Sequence, residues 1–492
     1  MLSASACDWQ RHELRALIGP DRGLGESELR REITELLGQP LPDPSPERRR
    51  LKEIIDHVRP GYLGRWVATV KGPEQRRAKP ERFSRSVAAH LLDLGYSASY
   101  LRSWASTLIR RAAGTVEVAE CAAELARTPA RQYDVLVALE KVPRRQLAEQ
   151  QEHWLSKGKV VAWLKEHGHD TAGFRTGGGF VYQLKALDPY GAAEQARRLL
   201  DRMVARSQFL RASRGGVVPL PHIWVAGHPR PVPLEPPARS ADVLTLGHEG
   251  HLYKVAGSRS RIDDALELAA AINRGPLTPA VAGGWAAVES LLIHPDDPKG
   301  DGERSGKAVA ADRIAAIITC SWPRAELTAL AHRHQPCEPD ELFRSIAACS
   351  TNQQRARHVA DALQAHGAEC LELTKSTRYS DQTAAQRMTA LTRDPRRQLR
   401  DVNKACRIVM RRLYRTRNIV LHGGATQGVA LDASLRIAAP LIGAGLDRIV
   451  HAYYTEELQP LDLAARAEVA LQLVNGETGL TIVDLLEPNT VR

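Results

Sequence analysis

Four polar side chains, Arg411, Arg415, Asn418 and His422, recur at steps of four and three within DVNKACRIVMRRLYRTRNIVLHGG, Asp401 to Gly424. On a helix, such steps place them in one row. A guanidinium is a rigid fork of donors matched to phosphate oxygens, and an imidazole exchanges a proton near neutral pH. The row is therefore equipped to grip a phosphodiester and to move a proton beside it. The competing account is electrostatic: a helix C-terminus is partially negative and favours arginines and a protonated histidine as a capped, solvated basic face.

The element that must position these groups is one amphipathic helix. Val402, Cys406, Val409, Leu413, Thr416 and Val420 form its apolar stripe, and Gly423 and Gly424 supply the stop. Arg417 is set apart from the row. Five residues at about 100° each leave it roughly 140° from His422 on an ideal helix. Arg415 and Arg417 therefore stay in competition as the phosphate ligand.

Arg417-Asn418-Ile-Val-Leu-His422 resembles the R-polar-x3-H signature of the HEPN superfamily. Trp285-Ala-Ala-Val-Glu289 resembles the earlier HEPN helix that brings an acidic or polar residue toward the Arg/His pair, and Val181 to Ala196, with Asp188-Pro189 at its centre, is similar to the strand-then-helix segment preceding the HEPN part of ApeA-like defence proteins. The resemblance covers roughly the second half of the chain. It implies a metal-independent, cofactor-free endoribonuclease of an antiphage or toxin system that cuts RNA by internal attack of a 2′-hydroxyl. His422 would transfer protons, Arg417 would hold the phosphate, and Glu289 or Asn418 would orient them. Arg411, Arg412 and Arg415 would bind the RNA. The same resemblance implies a homodimer and, as partner, a phage-derived trigger or an antitoxin. The alternative is a non-catalytic RNA- or DNA-binding or assembly protein that uses the helical bundle to dimerise. A further reading has the arginine-rich N-terminal helices bind duplex DNA.

Bulk properties bound these readings. A chain of 492 residues calls for two or three domains. The formal net charge of +11 favours an anionic partner, and nucleic acid is the common one. Aromatic residues at 5% argue against an extended base-stacking platform. Seven cysteines without regular spacing make no disulfide framework and fit a reduced cytoplasm. The opening MLSASACDWQRHELR lacks an apolar signal core, and no run is long enough for a membrane span, so a cytoplasmic location is expected.

The expected fold is mainly α in four parts: a helical N-terminal domain (1–165), a small α/β module ending in the proline-rich 229–237 (170–238), a HEPN-like helical domain (240–460) and a tail (461–492). Strands are expected at Phe180–Leu187 and Val217–Ala226, with a helix at Tyr190–Leu210 capped by Asp188 and Pro189. Gly177-Gly178-Gly179 is no dinucleotide fingerprint, because it precedes its strand. His294–Lys307 is a polar loop, rejected as a phosphate loop because Asp301 replaces the first glycine and Ala308 the Ser/Thr. Arg355–Ala365 and Ala384–Leu391 are expected in an insertion before the main helix. His332, His334, Cys337 and Cys349 match no common zinc spacing and are expected at the surface or in loops.

Overall fold

The computed structural model describes residues 4–42, 44–73, 79–209, 216–255, 260–299, 306–373, 379–423, 429–475 and 479–487. It is mainly helical, with one five-stranded antiparallel sheet. Two compact units divide it: Cys7–Pro236, and Met1–Ala6 with Pro237–Arg492.

The Cys7–Pro236 unit begins within α1 (Ala4–Ile18) and continues through α2 (Ser27–Leu36), α3 (Pro46–Val58), α4 (Tyr62–Lys71), α5 (Pro80–Leu94), α6 (Ala98–Arg110) and α7 (Thr115–Arg127). Then come β1 (Arg131–Lys141), the single turn α8 (Arg145–Glu149), β2 (Trp154–Leu155), α9 (Lys157–Glu166), β3 (Gly178–Ala186), α10 (Pro189–Gln208), β4 (Val218–Val225) and β5 (Val232–Pro233). Trp66, Phe83, Val87, Leu91 and Ala122 close a helical core. The sheet order is β2-β3-β1-β4-β5.

The central strand, β1, lies inside the segment expected to be a helical N-terminal domain. Its core, Val135–Leu139, is an unbroken buried run. Val135, Val137 and Leu139 pack with Ala192, Ala196 and Leu200 of α10, while Leu136 and Ala138 pack with Val160 and Leu164 of α9. A strand covered on both faces loses the alternation that marks half-buried strands.

β3, β4 and α10 fall where their patterns place them, apart from Leu210, which is outside the described residues. Asp188 caps α10 by accepting from Gly191 N, and it also binds the N–H and hydroxyl of Ser97, the N-cap of α6, at 2.8 Å each. One buried carboxylate thus ties the helical segment to the sheet inside a single unit. The triple glycine has a packing cause: Gly178 has φ +141°, and a Cβ there would lie 2.2 Å from the Trp154 ring.

The other unit contains α11 (Leu244–His248), α12 (Arg261–Ala269), α13 (Ala271–Arg274), α14 (Leu277–Leu292), α15 (Gly306–Arg333), α16 (Glu341–Ala348), α17 (Asn352–His366), α18 (Tyr379–Arg393), α19 (Pro395–Gly423), α20 (Val429–Thr455) and α21 (Pro460–Leu473). They share one core. α15 runs unbroken through Pro323, with Thr319, Cys320 and Leu327 buried on both sides of it. The expected insertion is integral: Ala356, Val359, Leu363, Ala384, Met388 and Leu391 belong to that core. So does the tail, through Leu463, Ala464, Ala467 and Ala470. Among the described residues, no helix is long and apolar enough to cross a membrane.

Candidate active site

The helix carrying the candidate residues starts earlier than its apolar stripe implies. Asp394 accepts from Arg397 N at 3.3 Å, and Pro395 takes the first helical position, so α19 gains a turn and a half before Asp401. Leu399, Cys406, Met410, Leu413, Tyr414 and Val420 are buried, and α19 packs against α14, α15 and α20.

α14 brings the acid. Its inward face includes Val281, Trp285, Val288 and Leu292, and Glu289 stands one turn beyond Trp285. The Trp285 ring packs on the Tyr414 ring with centroids 5.3 Å apart. One turn further along both helices, Arg417 Nη2 lies 3.8 Å from Glu289 Oε2, and each side chain keeps about a fifth of its exposure. Arg417 Nη1 also donates to Asn418 Oδ1 at 3.1 Å. Glu289, Arg417 and Asn418, named from sequence, are therefore brought together.

Arg411 faces a different neighbour. Its Nε and Nη2 donate to the two oxygens of Asp312, on α15, at 3.1 and 2.9 Å. Arg407, one turn earlier, makes the same two-pronged contact to the same carboxylate at 2.8 Å on each arm. Arg407 and Asp312 are absent from the sequence-derived site. The available signal is the four-residue recurrence Arg407, Arg411, Arg415: partly buried guanidiniums on a packed face require a carboxylate across the interface. Lys307, from the rejected phosphate loop, places Nζ 5.8 Å from the Tyr414 ring centroid, within cation–π range.

Arg412 is exposed and Arg415 is half-buried. The angular gap expected between Arg417 and the row is thus realised as two directions, α14 for Arg417 and α15 for Arg411. His422 lies in the last turn of α19, and its side chain falls outside the described residues, as does Gly424.

His332, Cys337 and Cys349 lie at the surface or in loops, as expected, but His334, in the loop after α15, is fully buried. Its Nδ1 accepts from Glu372 N at 3.1 Å, which assigns the proton to Nε2, 3.2 Å from Asp340. Burial pushes the Asp340 carboxyl up, but the Phe343 N–H and the His334 ring outweigh it and hold it below the usual range. His334 is thus a structural link between the backbone at Glu372 and the cap of α16. Among the described residues, no three His, Cys, Asp or Glu side chains are grouped to hold a metal ion.

A paired carboxylate and guanidinium at the end of a basic helix can orient a phosphate and balance charge that develops on it. Comparison with family models, with curated proteins and with solved structures finds no match for this chain.

Proposed function

We propose that the protein is a metal-independent endoribonuclease of HEPN type, active in antiphage defence or a toxin system. The observation that carries this reading is the contact between Glu289 and Arg417, 3.8 Å apart, on two helices separated by more than a hundred residues. The sequence resemblance requires those two positions to meet. In this reading a 2′-hydroxyl attacks the adjacent phosphorus and the bond to the 5′-oxygen breaks. His422 takes the proton from the attacking hydroxyl or returns one to the leaving oxygen. Arg417 steadies the negative phosphate, while Glu289 and Asn418 fix its guanidinium. The 2′-hydroxyl requirement selects RNA over DNA. A homodimer would set two such helix tips across a shared groove.

Cells expressing wild type are expected to stop growing and to show fragmented RNA, whereas Arg417→Ala and His422→Ala are expected to do neither. Purified wild type should cut RNA in EDTA. Equal cutting by all three proteins, or loss of cutting in EDTA, would sink the reading.

The carboxylates facing Arg411 and Arg417 also fit the second reading, a non-catalytic RNA-binding or assembly protein. Intact RNA alongside tight RNA binding by wild type would select it.

A further inference from the structure

Asp312 holds two guanidiniums with one carboxylate. One anion bound by two cations leaves excess positive charge. Each arginine spends two of its five donors on Asp312; Arg407, the more exposed of the two, keeps outward N–H groups for a second anion, while Arg411 is only 13% exposed. The cluster is open on the Arg407 side, where that side chain is 42% exposed.

The cluster also lies on a longer track. At about 100° per residue, Arg397, Arg400, Lys404, Arg407, Arg411 and Arg415 share one face of α19 within a sector of roughly 80°. Arg397, Arg400 and Lys404 are exposed. From Arg397 to Arg407 the cations span about 15 Å of helix axis. A single small anion cannot satisfy charges spread over that length, but a chain of phosphates can.

We propose that this face of α19 is a binding track for the sugar–phosphate backbone of an RNA strand, with Arg407, held by Asp312 beside the more buried Arg411, as its central phosphate contact. The inference deepens the nuclease reading, on which its choice of RNA rests: the track would hold the strand that leads to the Arg417 end of the same helix. Asp312 is a positioning residue, since it fixes the forks and itself repels phosphate.

The test uses the full chain and a fluorescent 12-nucleotide single-stranded RNA carrying 2′-O-methyl groups, which removes the attacking hydroxyl and separates binding from cutting. Affinity is measured by anisotropy over a salt series. Removing three phosphate contacts in Arg400→Ala/Lys404→Ala/Arg407→Ala is expected to weaken binding tenfold or more near 0.1 M salt. It should also flatten the log–log salt slope by about 2, at roughly 0.7 per contact on a single strand. A charge-matched control, Arg48→Ala/Arg49→Ala/Lys52→Ala on α3, should bind as wild type.

Unchanged affinity and slope in the α19 variant, or an equal loss in the control, would overturn the track. So would displacement by inorganic phosphate at low millimolar concentration, which would mark a single-anion site. A loss of polyglutamate binding without a loss of RNA binding would assign the face to an acidic protein instead. Failure of the nuclease reading looks different: wild type binds the methylated strand with the full slope yet leaves unmodified RNA intact. The track then stands.

Discussion

Two arginines six residues apart on one helix meet different carboxylates, and each difference is measurable. Arg417 and Glu289 retain a fifth of their exposure. Their coupling should therefore fall below the roughly 3–5 kcal/mol lost on breaking a fully buried pair, because solvent screens part of it. A double-mutant cycle of Glu289→Gln and Arg417→Gln in urea is expected to give about 1 kcal/mol of coupling. Additive effects would mean that the two groups are neighbours without being partners. Trp285, with no exposed surface, belongs to the core under that pair. Trp285→Ala should cost about 3–5 kcal/mol. The residue types and spacing at 285, 289 and 417 were legible in the sequence. Asp312 was not, because a lone aspartate on an alanine-rich helix carries no mark of which arginine it will face.

At the scale of elements, helix caps are where local sequence speaks most plainly. Asp394-Pro395 starts α19 and Asp188-Pro189 starts α10, each by a side-chain acceptor followed by a ring with no N–H to lose. Asp188 then does more than its local pattern announces, since Ser97 N–H and hydroxyl also depend on it. Asp188→Ala would strand three buried donors. It should destabilise the Cys7–Pro236 unit by about 3 kcal/mol or more, read by chemical unfolding, with Asp188→Asn costing less. A value near that of an exposed cap, about 1 kcal/mol, would show that Ser97 finds another partner. β1 marks the limit of such reading. Its Val135–Leu139 run has no period, and only helices on both faces of the sheet make it a strand.

At the scale of the molecule, the two units differ in which groups burial has shifted. In the Cys7–Pro236 unit, burial holds His90, His169 and His228 below the ordinary imidazole value. The unfolded chain protonates first, so this unit should lose stability as pH falls below about 6.5, until the folded values are reached. Asp201, raised by burial against Arg197, acts the other way in the carboxylate range. In the Pro237–Arg492 unit, burial pushes Asp297, Asp340, Glu456 and Asp484 up, but it is outweighed. Arg313, His334 with the Phe343 N–H, Arg448 with Arg466, and Arg357 hold them below the usual range. That stabilisation is complete above the unfolded carboxylate range near pH 4 and is lost as pH falls through the folded values. Hydrogen exchange, corrected for intrinsic rates, should therefore lose protection first in residues 83–228 between pH 7.5 and 5.5, and in the other unit only below about pH 4. The reverse order would contradict these assignments. By itself, the sequence determined the mainly helical character, the caps, the strands β3 and β4, and the amphipathic row on α19, because each depends on residues within a few turns of one another. Tertiary structure decided the rest: that β1 is a strand, that the supposed insertion and tail are core, that His334 is buried, and that Arg411 and Arg417 turn to different acids. Those outcomes depend on which distant surface covers a segment, and local periodicity does not encode that choice.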